Sequence, residues 1–214
     1  MKPALGYLQA MRQAPPEDAG RIVEAARFLA ARGWAPATAG NFSHRLADGD
    51  IAITVSGAHK AWLTPEEVMV VDAEGNSRDG RRPSAETALH LMAYRVYPDA
   101  QAVLHTHSIP AVVVSRRVGE RLRLAGYELL KAFPGVTTHE TAVELPVFDN
   151  SQDIAALAVK VAAGLIAKPA PAFVIRDHGL YGWGTSMAEA IKVVEAAETL
   201  IAMELEQMQL EGRA

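Results

Sequence analysis

Gln101-Ala102-Val103-Leu104-His105-Thr106-His107, running into Ser108-Ile109-Pro110-Ala111-Val112-Val113-Val114, is the passage on which the fold turns. The unbroken apolar run before His105 predicts a buried strand over 101–107, because a strand covered on both faces loses its polar alternation. Pro110 suits a first helical turn and predicts a helix over 109–118. The same alternation recurs on both sides. Upstream, a helix is expected from about Pro16 through Ile22, Ala26 and Leu29 to a stop at Gly33. Short strands follow at 51–55 and 68–72, separated by a turn or short helix at Thr64-Pro65-Glu66-Glu67. Ser84 reads as the cap of the next helix, with Glu86 in its first turn, Leu89, Met92, Ala93 and Val96 at helical spacing, and Pro98 as its end. Downstream, strands at 142–147 and 172–176 flank an Ala-rich helix over 153–167, and 186–208 reads as the longest helix. Strands alternating with helices argue for an α/β fold, a sheet covered by helices. No repeat or linker divides the chain, so residues 1–214 are expected to form one domain.

Composition narrows the chemistry. A chain of 214 residues buries roughly 70% of its unfolded surface and needs no covalent staple. Cysteine is absent, which excludes disulfides, thiol catalysis and thiolate metal sites, so a metal here must be held by His, Asp or Glu. Lys plus Arg number 21 against 25 Asp plus Glu, a net charge of −4 with no basic block, which argues against nucleic acid. The longest nearly apolar stretch, 154–167, is interrupted by Lys160 and is too short to span a bilayer. The first twenty residues carry Pro15, Pro16, Glu17 and Asp18 in place of a signal-peptide apolar region, so a cytoplasmic location is expected.

His105 and His107 point to the same face of the expected strand, about 6.6 Å apart, close enough to converge on one ion. The plain alternative is a pair of surface histidines at a strand end. His178 tilts the balance: it follows the apolar run 172–175, and Gly179 allows a sharp exit into a cleft. Three histidines with an open fourth position form a catalytic zinc arrangement, a Lewis acid for carbonyl chemistry. His44 and His59 fall in expected loops, His90 on a helix, and His139 beside Glu140; for these a structural or solvated role fits better. A second signal is the small polar set Gly40-Asn41-Phe42-Ser43, Thr54-Val55-Ser56-Gly57 and Pro83-Ser84, with Lys60 nearby. Such turns and helix starts can aim N–H groups and hydroxyls at an anion, though each alone is more often a turn or a cap.

Gly40-Asn41-Phe42-Ser43, Ser56-Gly57-Ala58-His59-Lys60, Leu63-Thr64-Pro65-Glu66, Pro83-Ser84-Ala85-Glu86, His105-Thr106-His107 and Asp177-His178-Gly179 stand in the order seen in the class II sugar-phosphate aldolase and adducin-head superfamily. The chain resembles that superfamily from about residue 20 to 208. The resemblance implies a three-layer αβα fold with a central, mostly antiparallel sheet. It also implies one zinc ion per subunit on His105, His107 and His178, a phosphorylated ketose substrate, and a homotetramer with active sites near subunit contacts. Within the superfamily the chain is most similar to the branch that dehydrates the methylthio-bearing ketose phosphate of methionine salvage. The carriers of that likeness are 56–63, Tyr127-Glu128-Leu129-Leu130-Lys131 and 145–153. It implies Glu128 as catalytic acid/base and Gly40, Asn41, Ser56, Gly57 and Ser84 around the phosphate; Lys60 is added to that set only by its nearness in sequence.

Aldolases commonly carry two serines where this chain has Ser84-Ala85, so one hydroxyl is lost. Glu86, the proton-transfer position of aldolases, is left open between a catalytic, a metal-facing and a first-turn role. Phe133 and Trp183 are conceivable walls for a methylthio group. Two other readings stand beside the dehydratase. One is an aldolase or epimerase acting on fuculose, rhamnulose or ribulose phosphate. The other is a non-catalytic interaction domain like the adducin head, against which the complete histidine trio counts.

Overall fold

The structure, a computed structural model, describes residues 12–212; residues 1–11, part of the amino-terminal stretch read above, lie outside it. Helix α1 (Pro16–Ala31) opens on its proline and buries Ile22, Ala26 and Leu29. Three strands follow, β1 (Asn41–Arg45), β2 (Ile51–Thr54) and β3 (Val68–Val71), with two 3-10 turns, Lys60–Trp62 and Pro65–Glu67, before the last. Helix α2 (Thr87–Val96) leads to β4 (Ala102–Thr106) and α3 (Ile109–Ser115). The hairpin β5 (Arg121–Ala125) and β6 (Ala142–Phe148) encloses a 3-10 turn at Glu128–Ala132. Helix α4 (Ile154–Ala167), β7 (Ala172–Ile175), β8 (Gly179–Gly184) and α5 (Met187–Glu211) complete the order.

The eight strands form one open sheet in the order β3-β2-β1-β4-β8-β7-β6-β5. Every neighbouring pair is antiparallel except β6 and β7. Side chains alternate across a strand, and β4 shows the result. Ala102 and Leu104 join the core under α1, α3 and α5 with Ile22, Leu29, Val194 and Ile201; Val103 joins the core under α2 and α4 with Leu89, Leu157 and Phe173. Each fully buried aliphatic side chain contributes on the order of 1.5–3 kcal/mol, so both layers are held by apolar burial. His105 therefore falls on the α2 side and Thr106 on the α5 side. Among the described residues no helix is long and apolar enough to cross a membrane.

The structure departs from the sequence reading in several places. Strands β1, β5 and β8 were not expected, and His44 lies in β1 rather than in a loop. Strand β4 ends at Thr106, so His107 follows the strand, its N–H held by the Trp34 carbonyl at 2.7 Å. Ser84 does not cap α2: residues 84–87 form a turn in which the Thr87 N–H and hydroxyl both donate to the Ser84 carbonyl, leaving Glu86 at the helix start. The backbone is crowded around β4. Gly40 has φ +79°, and a Cβ there would lie 2.7 Å from the His105 carbonyl oxygen; at Gly179 the corresponding approach, to Thr106, is 1.9 Å.

Candidate metal centre

The β4–β8 and β1–β4 registers assemble the centre. Asn41 lies opposite His105, Leu180 lies opposite Thr106, and Ile175 pairs with Gly179 across the turn that carries His178. Asp177, at φ +58°, turns the chain back, with its N–H on the Ser115 hydroxyl at 3.1 Å. Arg176 staples the same turn to the segment after α3 through the Val118 and Gly119 carbonyls at 2.8 and 3.0 Å. Thus His178 is delivered by a braced turn beside the end of β4.

One ligand atom from each of Glu86, His105, His107 and His178 falls within 4.8 Å of all the others. His105 is fully buried and stacks on Tyr181, ring centroids 3.9 Å apart. Its Nδ1 faces the Leu180 carbonyl at 3.0 Å, and the His178 Nδ1 faces the Asn150 side-chain oxygen at 3.4 Å. With Nδ1–H committed to oxygen on both rings, each Nε2 presents a lone pair inward. The two Nε2 atoms are 3.3 Å apart, and Glu86 Oε1 is 2.7 Å from that of His178. Lone pairs and a carboxylate facing one another at such distances make a donor set that fits a divalent cation. Burial lowers the imidazole of His105 and takes that of His107 down to about 3, so both are in the neutral, ligating form near neutrality. Burial alone would raise the Glu86 carboxyl, but a proton on the adjoining His105 or His178 more than offsets it, so with either ring protonated the carboxyl is held far below the usual carboxylate range.

Behind the histidines lies Glu198 of α5, fully buried. Its carboxylate accepts from the Thr106 and Ser108 hydroxyls, on either side of His107, and burial pushes it up to about 7. Nothing in the sequence reading singled it out; the only signal was an acidic residue amid the apolar positions of α5.

A cavity of about 420 Å³ opens in front of the cluster. Its lining includes every residue expected around a phosphate, Gly40, Asn41, Ser56, Gly57, Lys60 and Ser84, together with Glu86, His107 and His178. It also includes Asn150, Ser151 and Gln152, to which the sequence reading gave no role. Lys60 is buried, its Nζ donating to the Thr38 and Ala58 carbonyls at 2.8 and 2.6 Å, and burial lowers its amine to about 8.

Glu128 is elsewhere, contrary to expectation for a residue acting within one chain. Its side chain is 71% exposed and pairs with Lys131 and with His139 at 3.3 Å. Topology gives the reason. Phe148, next to the cavity segment, pairs with Ile175, while the 126–141 loop joins the other end of β6, six residues or about 20 Å away. Neither proposed methylthio wall faces the cluster: Phe133 is buried under α5, and Trp183 stacks on Tyr97 in a separate cavity. His44 pairs with Asp18 at 3.0 Å and His59 stacks on Trp62, outside the cluster.

Comparison with known proteins agrees with this architecture. A family model described as Class II Aldolase and Adducin N-terminal domain matches residues 20–205. The chain is 53% identical over 187 residues to a methylthioribulose-1-phosphate dehydratase from Methylococcus capsulatus, covering 87% of this chain and 92% of that protein. It is 52% identical over 193 residues to a protein of the same name from Pseudomonas aeruginosa, covering 89% and 94%. Among solved structures, l-fuculose-1-phosphate aldolase from Thermus thermophilus superposes with a TM-score of 0.77 at 28% identity, covering 94% of this chain and 98% of that one. A sugar-phosphate aldolase from Thermotoga maritima, at 19% identity and TM-score 0.71, shares the fold.

Proposed function

Because the chain belongs to the class II aldolase and adducin N-terminal domain family, we propose that it is a zinc-dependent hydro-lyase of methionine salvage, converting 5-methylthioribulose 1-phosphate to 5-methylthio-2,3-dioxopentyl 1-phosphate. The observation that carries this reading is the convergence of His105, His107, His178 and Glu86 on the floor of a cavity rimmed by Ser56, Gly57 and Ser84. We take the enzyme to act in the cytoplasm as a homotetramer of single-domain subunits.

Zinc held by His105, His107 and His178 would supply Lewis acidity toward the C2 carbonyl and C3 hydroxyl of the substrate. The Ser56 and Ser84 hydroxyls and the Gly40 and Gly57 backbone grip the phosphate, with Asn41 and Lys60 behind them. A carboxylate then removes the proton at C3 and returns it to the hydroxyl leaving C4, so that water departs and the enol ketonises. Glu128 of a neighbouring subunit supplies that carboxylate, since within its own chain it stands far from the cavity. Exposed Leu129 beside Glu128, and exposed Trp62 and Ile109 beside the cavity segments, give both surfaces apolar area for a subunit contact. Glu86 closes the donor set around the histidines.

A second reading, aldol cleavage, is favoured by the likeness to the Thermus fuculose phosphate aldolase. Zinc-loaded protein given the methylthio ketose phosphate should develop a diketone absorbance; release of dihydroxyacetone phosphate from fuculose phosphate instead would select the aldolase. Mixing inactive His107→Ala and Glu128→Gln subunits should restore activity in sites that draw one intact residue from each chain. No restoration would place the acid/base within the chain, at Glu86.

A further inference from the structure

His90 is fully buried on α2, and both of its ring nitrogens are engaged. Glu86, His90 and Tyr94 are spaced four apart and share one side of the helical segment, while Asn41 and Ser43 are two apart on one face of β1. The two rows meet as a single file of polar groups leading from the core to the histidine cluster.

The hydrogen-bond partners assign the protons along that file. Asn41 Nδ2 lies against the Glu86 carboxylate and donates to it, and its other hydrogen reaches the Ser84 hydroxyl at 3.1 Å. The Asn41 carbonyl oxygen must therefore accept from His90, which places the imidazole proton on Nε2. Burial lowers His90 to about 3, so the ring is neutral and its Nδ1 carries a lone pair. The Ser43 hydroxyl, 2.7 Å away, donates to it and can accept in turn from the Tyr94 hydroxyl at 2.8 Å. If Asn41 flipped, its carbonyl would face the Glu86 carboxylate and its NH2 would face the Nε2–H.

We propose that His90 is a positioning residue: by locking the amide of Asn41 it holds the Glu86 carboxylate toward His105 and His178. This rests on the reading of that cluster as the metal-dependent site. A file needed only for stability could be replaced by apolar groups of the same shape at little loss; a file that aims Glu86 could not.

The test compares His90→Gln with His90→Asn in the full-length protein loaded with Co²⁺. The Gln amide reaches the place of Nε2 and can still donate to Asn41; the Asn amide stops at the place of Nδ1 and cannot. Both lose the ring, so a merely structural role would move the two alike. We expect His90→Gln to keep the wild-type cobalt spectrum and kcat. In His90→Asn the bands should shift and kcat fall about tenfold or more, with KM changed less, the usual scale for loss of an outer partner of a metal site. Identical behaviour of the two variants would overturn the proposal. Should neither fold, ¹⁵N NMR of the wild type decides: His90 is expected to remain the neutral Nε2–H tautomer near neutrality, and an Nδ1–H tautomer would refute the file. Wild-type protein that takes up no cobalt would overturn the reading of the site instead, leaving the tautomer measurement to judge the file.

Discussion

Replacing Glu198 by Gln tests how the histidine strand is backed. Among the described residues its carboxylate is held by two hydroxyls, those of Thr106 and Ser108, and no cation pairs with it. Burial raises the folded-state pKa from 4.5 to about 7, an effect the two hydroxyl bonds only partly offset. Below pH 4.5 both folded and unfolded chains carry the proton. Between 4.5 and about 7 the unfolded chain has released it and the folded chain has not, so stability falls as pH rises through that window. The shift of about 2.5 units corresponds to a loss of about 3 kcal/mol, complete once the folded group ionises. Urea unfolding with chelator present, at fixed protein concentration, should be followed from about pH 4.5 to 8 for wild type and Glu198→Gln. His90 and His107, whose pKa values burial lowers, act in the opposite sense, losing stability as pH falls, but they are common to both proteins and cancel in the difference. The wild type should lose about 3 kcal/mol relative to Glu198→Gln across the window. A difference that stays flat with pH would show that the carboxyl is not protonated in the fold, and the argument from burial would fail.

Other outcomes follow from the same geometry. Gly179→Ala places a Cβ 1.9 Å from the Thr106 carbonyl oxygen, so β4 and β8 must part; we expect a loss of about 3 kcal/mol or more in thermal or denaturant melts. Gly119→Ala meets nothing within 4 Å and should stay within about 0.5 kcal/mol of wild type. His107→Ala should abolish both zinc content and turnover while the melt changes little with chelator present. Chelation of the wild type should remove activity that zinc restores, and activity surviving metal removal would exclude the metal-dependent reading.

How far the sequence was legible depends on what each segment had to satisfy. Buried apolar strands such as Val68–Val71 and Ala172–Ile175 announce themselves because nothing but packing shapes them. Strand β8, Gly-Leu-Tyr-Gly-Trp-Gly, does not, because α5 lies directly on its backbone: a Cβ at Gly182 would come within 2.7 Å of Val194, and one at Gly184 within 2.4 Å of the Ala190 nitrogen. Strand β1 hides behind polar residues, since Asn41 and Ser43 are buried to serve the file that ends at Glu86. The short β5 shows a period of two only in Leu122 and Leu124. Within the site, the spacing of His105 and His107 and the apolar run before His178 were readable because they are local. The place of Glu128 was not, since a linear sequence does not say which end of a hairpin faces which cavity. Glu198 was missed for a related reason: its partners are far away in the chain.

The position of β8 has a consequence for how the molecule comes into being. The first four strands, ending with β4, form one side of the sheet, and β5, β6 and β7 form the other; only the last-made strand, lying between β4 and β7, joins them. His105 and His107 border that seam from one side, and His178 enters with the strand that closes it. A chain still emerging from the ribosome, or one cut short before residue 178, therefore has two separate half-sheets and lacks the third histidine of the donor set. The full set of four donors therefore comes together only when the two halves have been stitched into one sheet.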